Sequence, residues 1–255
     1  MTDAGLSIEP AGDCAAWAWP RFIPVGDIGL LVEFGNEIEM SLNQAVVGLD
    51  RAIIGGKLPG VVETVPTYRS LLIEFEPGII TLDQLVVRVR DLLRNSETVL
   101  PDADRKLVVP VSYDGVLGED LAEAAGLLGL APHVVVDAHL TARYRVYMIG
   151  FMPGFAYLGG LPSQLHLPRR AKPRAPAPEG SIMIGGKQAA IAALPFLTGW
   201  YVIGRTPARG FDKNREEPFL FRAGDHVQFD YIGASDFARL AVLAAKGAPV
   251  VKIIG

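Results

Sequence analysis

The sequence predicts an α+β chain in two parts, a small mixed unit followed by a larger β-rich one. Three observations carry this. Short apolar runs between residues 29 and 111 alternate with two helical stretches in the order βαββαβ. A polar stretch, Arg94–Arg105 (RNSETVLPDADR), interrupts the pattern. Beyond residue 144, short apolar runs punctuated by Gly and Pro dominate, as in a closed or strongly bent antiparallel sheet.

In the first part, Gly29–Phe34 reads as a strand. Ser41-Leu42-Asn43-Gln44 has the form of a capping box, in which Ser41 and Gln44 would satisfy the first free amides of a helix. Leu42, Ala45, Val46, Leu49 and Ile53 then share one helical face, and Gly55-Gly56 stops the helix. Val61–Val65 and Leu71–Phe75 are the next strands. Thr81-Leu82-Asp83-Gln84 repeats the capping box, and Leu82, Leu85, Val86, Val89, Leu92 and Leu93 repeat the apolar face. Leu107–Val111 supplies a last strand, although it lies past the connector and can pack with either side. Two similar βαβ halves in this order predict a ferredoxin-like unit. Arg69, in the turn between the two middle strands, is either a site residue or a turn anchor.

In the second part, Glu119–Leu130 is helical in pattern. Pro132 can open another helix, which carries Val134, Val135, Ala138 and His139. The strands are Tyr144–Ile149, Ser181–Ile184, Ala189–Ala193, Trp200–Ile203 and His226–Tyr231, followed by a helix over Ser235–Ala245 and a strand over Pro249–Ile254. The expected organisation is a tail over 1–24, the ferredoxin-like unit over 25–95 and a barrel over 106–255. No period of 20–50 residues recurs, so the chain is not a solenoid.

Half of the 255 residues are hydrophobic, enough to bury a core. No apolar run reaches the ~18 residues of a membrane span, and Met1–Pro24 lacks the pattern of a signal peptide. A cytoplasmic protein is expected, without a membrane partner. Cys14 is the only cysteine, so no intrachain disulfide can form. The net charge of -4 argues against general nucleic-acid binding. The charge is uneven. Arg143–Arg222 holds twelve Lys and Arg against four acids, a local +8, which leaves -12 on the rest of the chain. A basic segment on an acidic chain suits an anionic small ligand or an acidic partner surface.

Familiar catalytic motifs fail. Gly180–Lys187 (GSIMIGGK) resembles a P-loop, but Gly186 stands where the lysine belongs and Gln188 replaces the Ser or Thr that would hold magnesium. There is no HExxH, CxxC or GxSxG, and His133, His139, His166 and His226 are too scattered to suggest zinc. No protein-bound metal is expected.

A longer constellation remains: GFMPGFAYLGGLP, the pairs Pro168-Arg169 and Pro173-Arg174, then PEGS, IGGKQ, GW and IGRTP. This ordered set, extended into the first part by VPTYRSLL, resembles the family called allophanate hydrolase subunit 1, or KipI-like. Its members include the B subunit of ATP-dependent 5-oxoprolinase and an inhibitor of a sporulation histidine kinase. The resemblance implies a cyclophilin-like barrel for the second part. It also implies a component of an ATP-dependent amide hydrolase, foremost 5-oxoprolinase, with the allophanate-cleaving and kinase-inhibiting roles as alternatives. ATP, with magnesium and shared with a partner, is the implied cofactor. The implied partners are a KipA-like C subunit, which carries a second barrel, and a LamB/YcsF-like A subunit.

Candidate site residues follow. His139 stands where the family usually has a histidine, either as acid, base or donor in a pocket or as a core residue. Lys187 offers a point charge to phosphate or carboxylate, and Gln188 a neutral amide. The planar fork of Arg205 suits a bidentate anion, and Lys187 and Arg205 are expected to converge on one site. Arg169 and Arg174 sit in a proline-stiffened arm. Gly185, Gly186 and Trp200 complete the anion-binding set, although Trp200 and Tyr157 also suit packing. Phe151, Pro153, Gly154, Phe155 and Tyr157 form either an interface and pocket wall or the interior of the barrel. The family usually continues its Gln with Thr-Gly-Ile-Tyr-Pro, whereas Gln188 is followed here by Ala189, Ala190, Ile191, Ala192 and Ala193. A hydroxyl and a phenol are therefore missing from the usual wall.

Overall fold

The computed structural model describes residues 19–95, 105–173 and 175–254. Cys14, most of the connector and Arg174 lie outside the described residues. The chain is mixed α+β with two sheets.

The first sheet has four strands in the order β1 (Arg21–Val25), β2 (Gly29–Glu33), β4 (Ser70–Phe75) and β3 (Val61–Pro66), all antiparallel. Helices α1 (Met40–Gly55) and α2 (Leu82–Asn95) pack on it. Leu30, Val32, Leu71 and Ile73 of the sheet meet Val46, Leu49 and Ile53 of α1 and Leu85 and Val89 of α2. The expected helical faces are thus the buried ones. The second capping box forms: the Thr81 amide donates to Gln84 Oε1 (3.0 Å) and the Gln84 amide to Thr81 Oγ1 (3.3 Å). The first does not, because α1 begins two residues earlier, with Glu39 as an N-cap that makes no side-chain capping bond.

Two expectations need correction. The tail does not extend to residue 24, since Arg21–Val25 forms β1 and pairs with β2 in a hairpin. The order of the first unit is therefore ββαββα rather than βαββαβ. The strand β5 (Lys106–Val111) pairs in parallel with β11 (His226–Tyr231) of the second sheet, and β1 takes an edge of the first. The reason is burial. Leu107, Val109 and Val111 point into the core of the second unit and are fully enclosed there.

The second sheet has eight strands. The remaining ones are β6 (Tyr144–Ile149), β7 (Ala156–Gly159), β8 (Ser181–Gly185), β9 (Gln188–Ile191), β10 (Tyr201–Arg205) and β12 (Lys252–Ile254). Their order is β10-β8-β9-β7-β6-β11-β5-β12. The sheet curls until Ser112, just after β5, meets Arg205 at the end of β10. The Ser112 amide donates to the Arg205 carbonyl (2.9 Å) and the Arg205 amide to the Ser112 carbonyl (2.8 Å). Asp120 braces the same corner, its Oδ2 accepting from the Val202 amide at 2.8 Å. Helices α3 (Leu121–Leu128) and α4 (Pro132–Thr141) place Ala124, Ala125, Val135 and Ala138 in this core. The last helix is α5 (Ala234–Ala245).

The two units are tied by a side chain. Asn43 of α1 is fully buried, and its Nδ2 donates to the Thr67 carbonyl (3.1 Å) and to the Tyr147 carbonyl of β6 (3.0 Å). No single helix among the described residues is long and apolar enough to cross a membrane.

Candidate functional site

The strand alternation of β9 separates two environments. Ala189 and Ile191 face the main core, whereas Ala190 and Ala192 face a smaller cluster with Phe155, Met183, Trp200 and Val202. Both alanines are fully buried. The alanine run that departs from the family pattern therefore forms the base of an aromatic face. Tyr157 lies over it, with ring centroids 4.7 Å from Phe155 and 6.3 Å from Trp200.

The cation of this face is Arg169. Its guanidinium carbon lies 4.8 Å from the centroid of the Trp200 ring. The next residue holds it there. Arg170 turns the other way, pairs with Asp120 (3.1 Å) and Glu123, and donates its amide to the Gly199 carbonyl at 2.7 Å. Gly185 is required by this packing, since a Cβ there would lie 2.9 Å from the Trp200 ring and 3.3 Å from Arg169 Cγ. Gly186 (φ 64°) and Lys187 form the two-residue turn from β8 to β9, leaving Lys187 exposed and Gln188 buried opposite Gly185.

The other end of the face is apolar. Phe151 is 70% exposed, has φ 70° and packs on Phe155 (5.7 Å) and Phe196 (5.3 Å). A bulky residue at positive φ is strained, and such strain concentrates at functional positions. Pro153 is exposed beside it, and Gly154 is buried against the backbone of Gly210. The aromatic stretch is thus partly interior and partly exposed.

The first unit contributes a residue that the sequence did not single out. Tyr68, in the turn after β3, crosses to Tyr157 (5.7 Å) and Tyr147 (6.0 Å). Its hydroxyl is buried without a hydrogen-bond partner among the described residues. Burial pushes its phenol well up, the Tyr157 ring adds to this, and Arg169 opposes it. Tyr157 is also raised by burial and lowered by Arg169. Both phenols therefore hold their protons more tightly than a free tyrosine does. The adjoining Arg69 is an anchor: its Nη1 donates to the Gly35 carbonyl (2.7 Å) and its Nη2 lies 3.4 Å from Glu33.

Two expected members stand elsewhere. His139 is fully buried in the core, between Tyr144 and Phe229, with Nδ1 2.6 Å from the Tyr113 hydroxyl. Burial lowers its pKa from 6.5 to about 3, so the imidazole is neutral. Arg205 pairs through its backbone with Ser112, where the curled sheet meets itself. Its Nη2 donates to the Glu179 carbonyl (3.0 Å), and its guanidinium lies over Phe237. Lys187 and Arg205 do not converge. Arg205 pairs with Ser181 at one end of β8, whereas Lys187 follows Gly185 at the other. Four strand steps separate these ends by roughly 13 Å.

Residues 20–221 match the family described as carboxyltransferase domain, subdomain C and D. The chain belongs to this carboxyltransferase-domain family. It is 36% identical over 206 residues to a protein of Escherichia coli O157:H7 named as the B subunit of 5-oxoprolinase, covering 80% of this chain and 93% of that one. Among solved structures it resembles TTHA0988, with a TM-score of 0.72 and 33% identity, over 81% of this chain and 40% of that chain. The urea carboxylase of Kluyveromyces lactis shares the fold, with a TM-score of 0.70 at 17% identity, over 91% of this chain and 23% of that one. In this carboxyltransferase-family chain the gathered groups are one guanidinium, one peripheral ammonium, one amide, phenols and an indole. They can bind and orient a planar or anionic group. Among the described residues, no three His, Cys, Asp or Glu side chains are grouped to hold a metal ion.

Proposed function

We propose that the chain is the B subunit of an ATP-dependent 5-oxoprolinase, completed by a second barrel-domain protein and by an A subunit of the LamB/YcsF type. The observation that supports this most directly is the 36% identity to the B subunit of 5-oxoprolinase over 93% of that protein. The face around Arg169 agrees with a partial site. It offers binding groups but no nucleophile paired with a base. The match to TTHA0988, in which the aligned part is 40% of a longer chain, favours a unit that works joined to others.

In this reading ATP phosphorylates the lactam oxygen of 5-oxoproline, and water opens the activated ring to give glutamate, ADP and phosphate. Arg169 offsets the charge of the substrate carboxylate or of the phosphoryl group. Trp200 and Tyr157 provide a flat wall for the ring, and Lys187 a second cation at the rim. Phe151 and Pro153 meet the second barrel protein. No step is assigned to a metal held by this chain.

Affinity capture from cells expressing the co-encoded subunits tests the assembly. The wild-type chain should retain the second barrel protein. Phe151→Ser should remain folded, because the ring is largely exposed, and lose the partner. Retention of a histidine kinase dimerisation domain in place of that partner would favour the inhibitor role.

A further inference from the structure

A cleft of about 510 Å³ runs along the seam between the two units, apart from the aromatic face. Asp50 and Arg51 of α1 and Glu63 of β3 form one wall. Arg105, ahead of β5, and Arg222 and Asp225, ahead of β11, form the other. The volume falls within the ~300–1,000 Å³ of small-molecule sites.

The walls carry opposite signs. The first has two carboxylates and one guanidinium, the second two guanidiniums and one carboxylate. The second wall is fixed by its own acid. Asp225 accepts from Arg105 Nε (3.0 Å) and Nη2 (2.6 Å) and from the Arg222 amide (2.8 Å). Among the described residues the Arg222 side chain pairs with Glu217, which is exposed, and such pairs hold weakly against a competing anion. On the first wall, Asp50 is half-buried and lines the cleft, and its Oδ1 has no hydrogen-bond partner among the described residues. Burial raises its carboxyl, against a hydrogen bond from Thr64 and the charge of Arg51.

We infer that this cleft binds a small zwitterion of the free amino-acid class, its ammonium at Asp50 and Glu63 and its carboxylate at Arg222. A simple anion would meet the two carboxylates of the first wall, and a simple cation the two guanidiniums of the second. Only a ligand carrying both charges matches both walls. The inference does not depend on the enzyme reading, because this chain alone supplies the cleft.

The test is calorimetric titration of the full chain with each of the common free L-amino acids. The best binder is then compared with its deaminated and its decarboxylated analogues. At least one amino acid should saturate the chain, and both analogues should bind about tenfold more weakly or worse, the scale of a lost charged hydrogen bond. Asp50→Asn and Arg222→Ala should each cause a similar loss. Asp50→Asn should melt no lower than wild type, because it removes a charge that burial already disfavours. The inference is overturned if no amino acid binds, if either analogue binds as tightly, or if both variants bind as wild type does.

Discussion

The Arg169 guanidinium lies over the Trp200 indole, and a Cβ on Gly185 would stand 2.9 Å from that ring. This stack holds a cation at a defined place on an otherwise aromatic face. Arg169→Ala should lower the ATP-dependent activity of the assembled enzyme at least tenfold. The melting cost should be small, because an exposed cation–π contact is worth ~0.5–1 kcal/mol. Arg169→Lys should restore only part of the activity, since an ammonium lacks the planar fork. Steady-state kinetics beside a thermal melt separates the two effects.

Gly185→Ala tests the same packing from below. The added methyl must displace the indole or the Arg169 stem, so fluorescence from Trp200 should shift while the main core stays folded. An unchanged spectrum with unchanged activity would show that the contact tolerates a side chain.

Tyr68 carries a buried hydroxyl without a partner among the described residues. Tyr68→Phe removes that group and keeps the ring contacts with Tyr147 and Tyr157. Relief of an unsatisfied polar group is worth ~1–3 kcal/mol. The variant should therefore unfold at a higher urea concentration than wild type, and a lower midpoint would reveal a partner for the hydroxyl.

His139 sets a pH dependence. Its folded pKa is lowered from 6.5 to about 3 by burial. Below pH 6.5 the unfolded chain takes up a proton that the folded chain refuses. Stability from this group is thus complete above 6.5 and falls as the pH drops toward 3, by on the order of 1 kcal/mol per pH unit. Urea unfolding between pH 7 and 5 should show this slope in wild type and a shallower one in His139→Gln.

Much of the fold is legible in the sequence because burial follows periodicity. The faces of α1 and α2, and the strands at 144–149, 181–185 and 226–231, lie where their apolar spacing puts them. Strand partners are less legible. Leu107–Val111 has an apolar run that fits either sheet, and only the completed core of the second unit decides between them. β1 is short, contains Pro24 and is at most half-buried, so its local signal is weak. The site is legible in part. Arg169, Gly185 and Trp200 come together as a set, whereas Arg205 is drawn away by the register of β10 on β8. Tyr68 is hidden from sequence reasoning because its companions belong to the other unit. The VPTYRSLL motif is the one signal that points to it.

The most direct measurement is ADP release with 5-oxoproline, using this chain together with its co-encoded subunits. The account predicts turnover by the full set, none by this chain alone and none when it is omitted. Full turnover without this chain, or robust turnover by this chain alone, would contradict it.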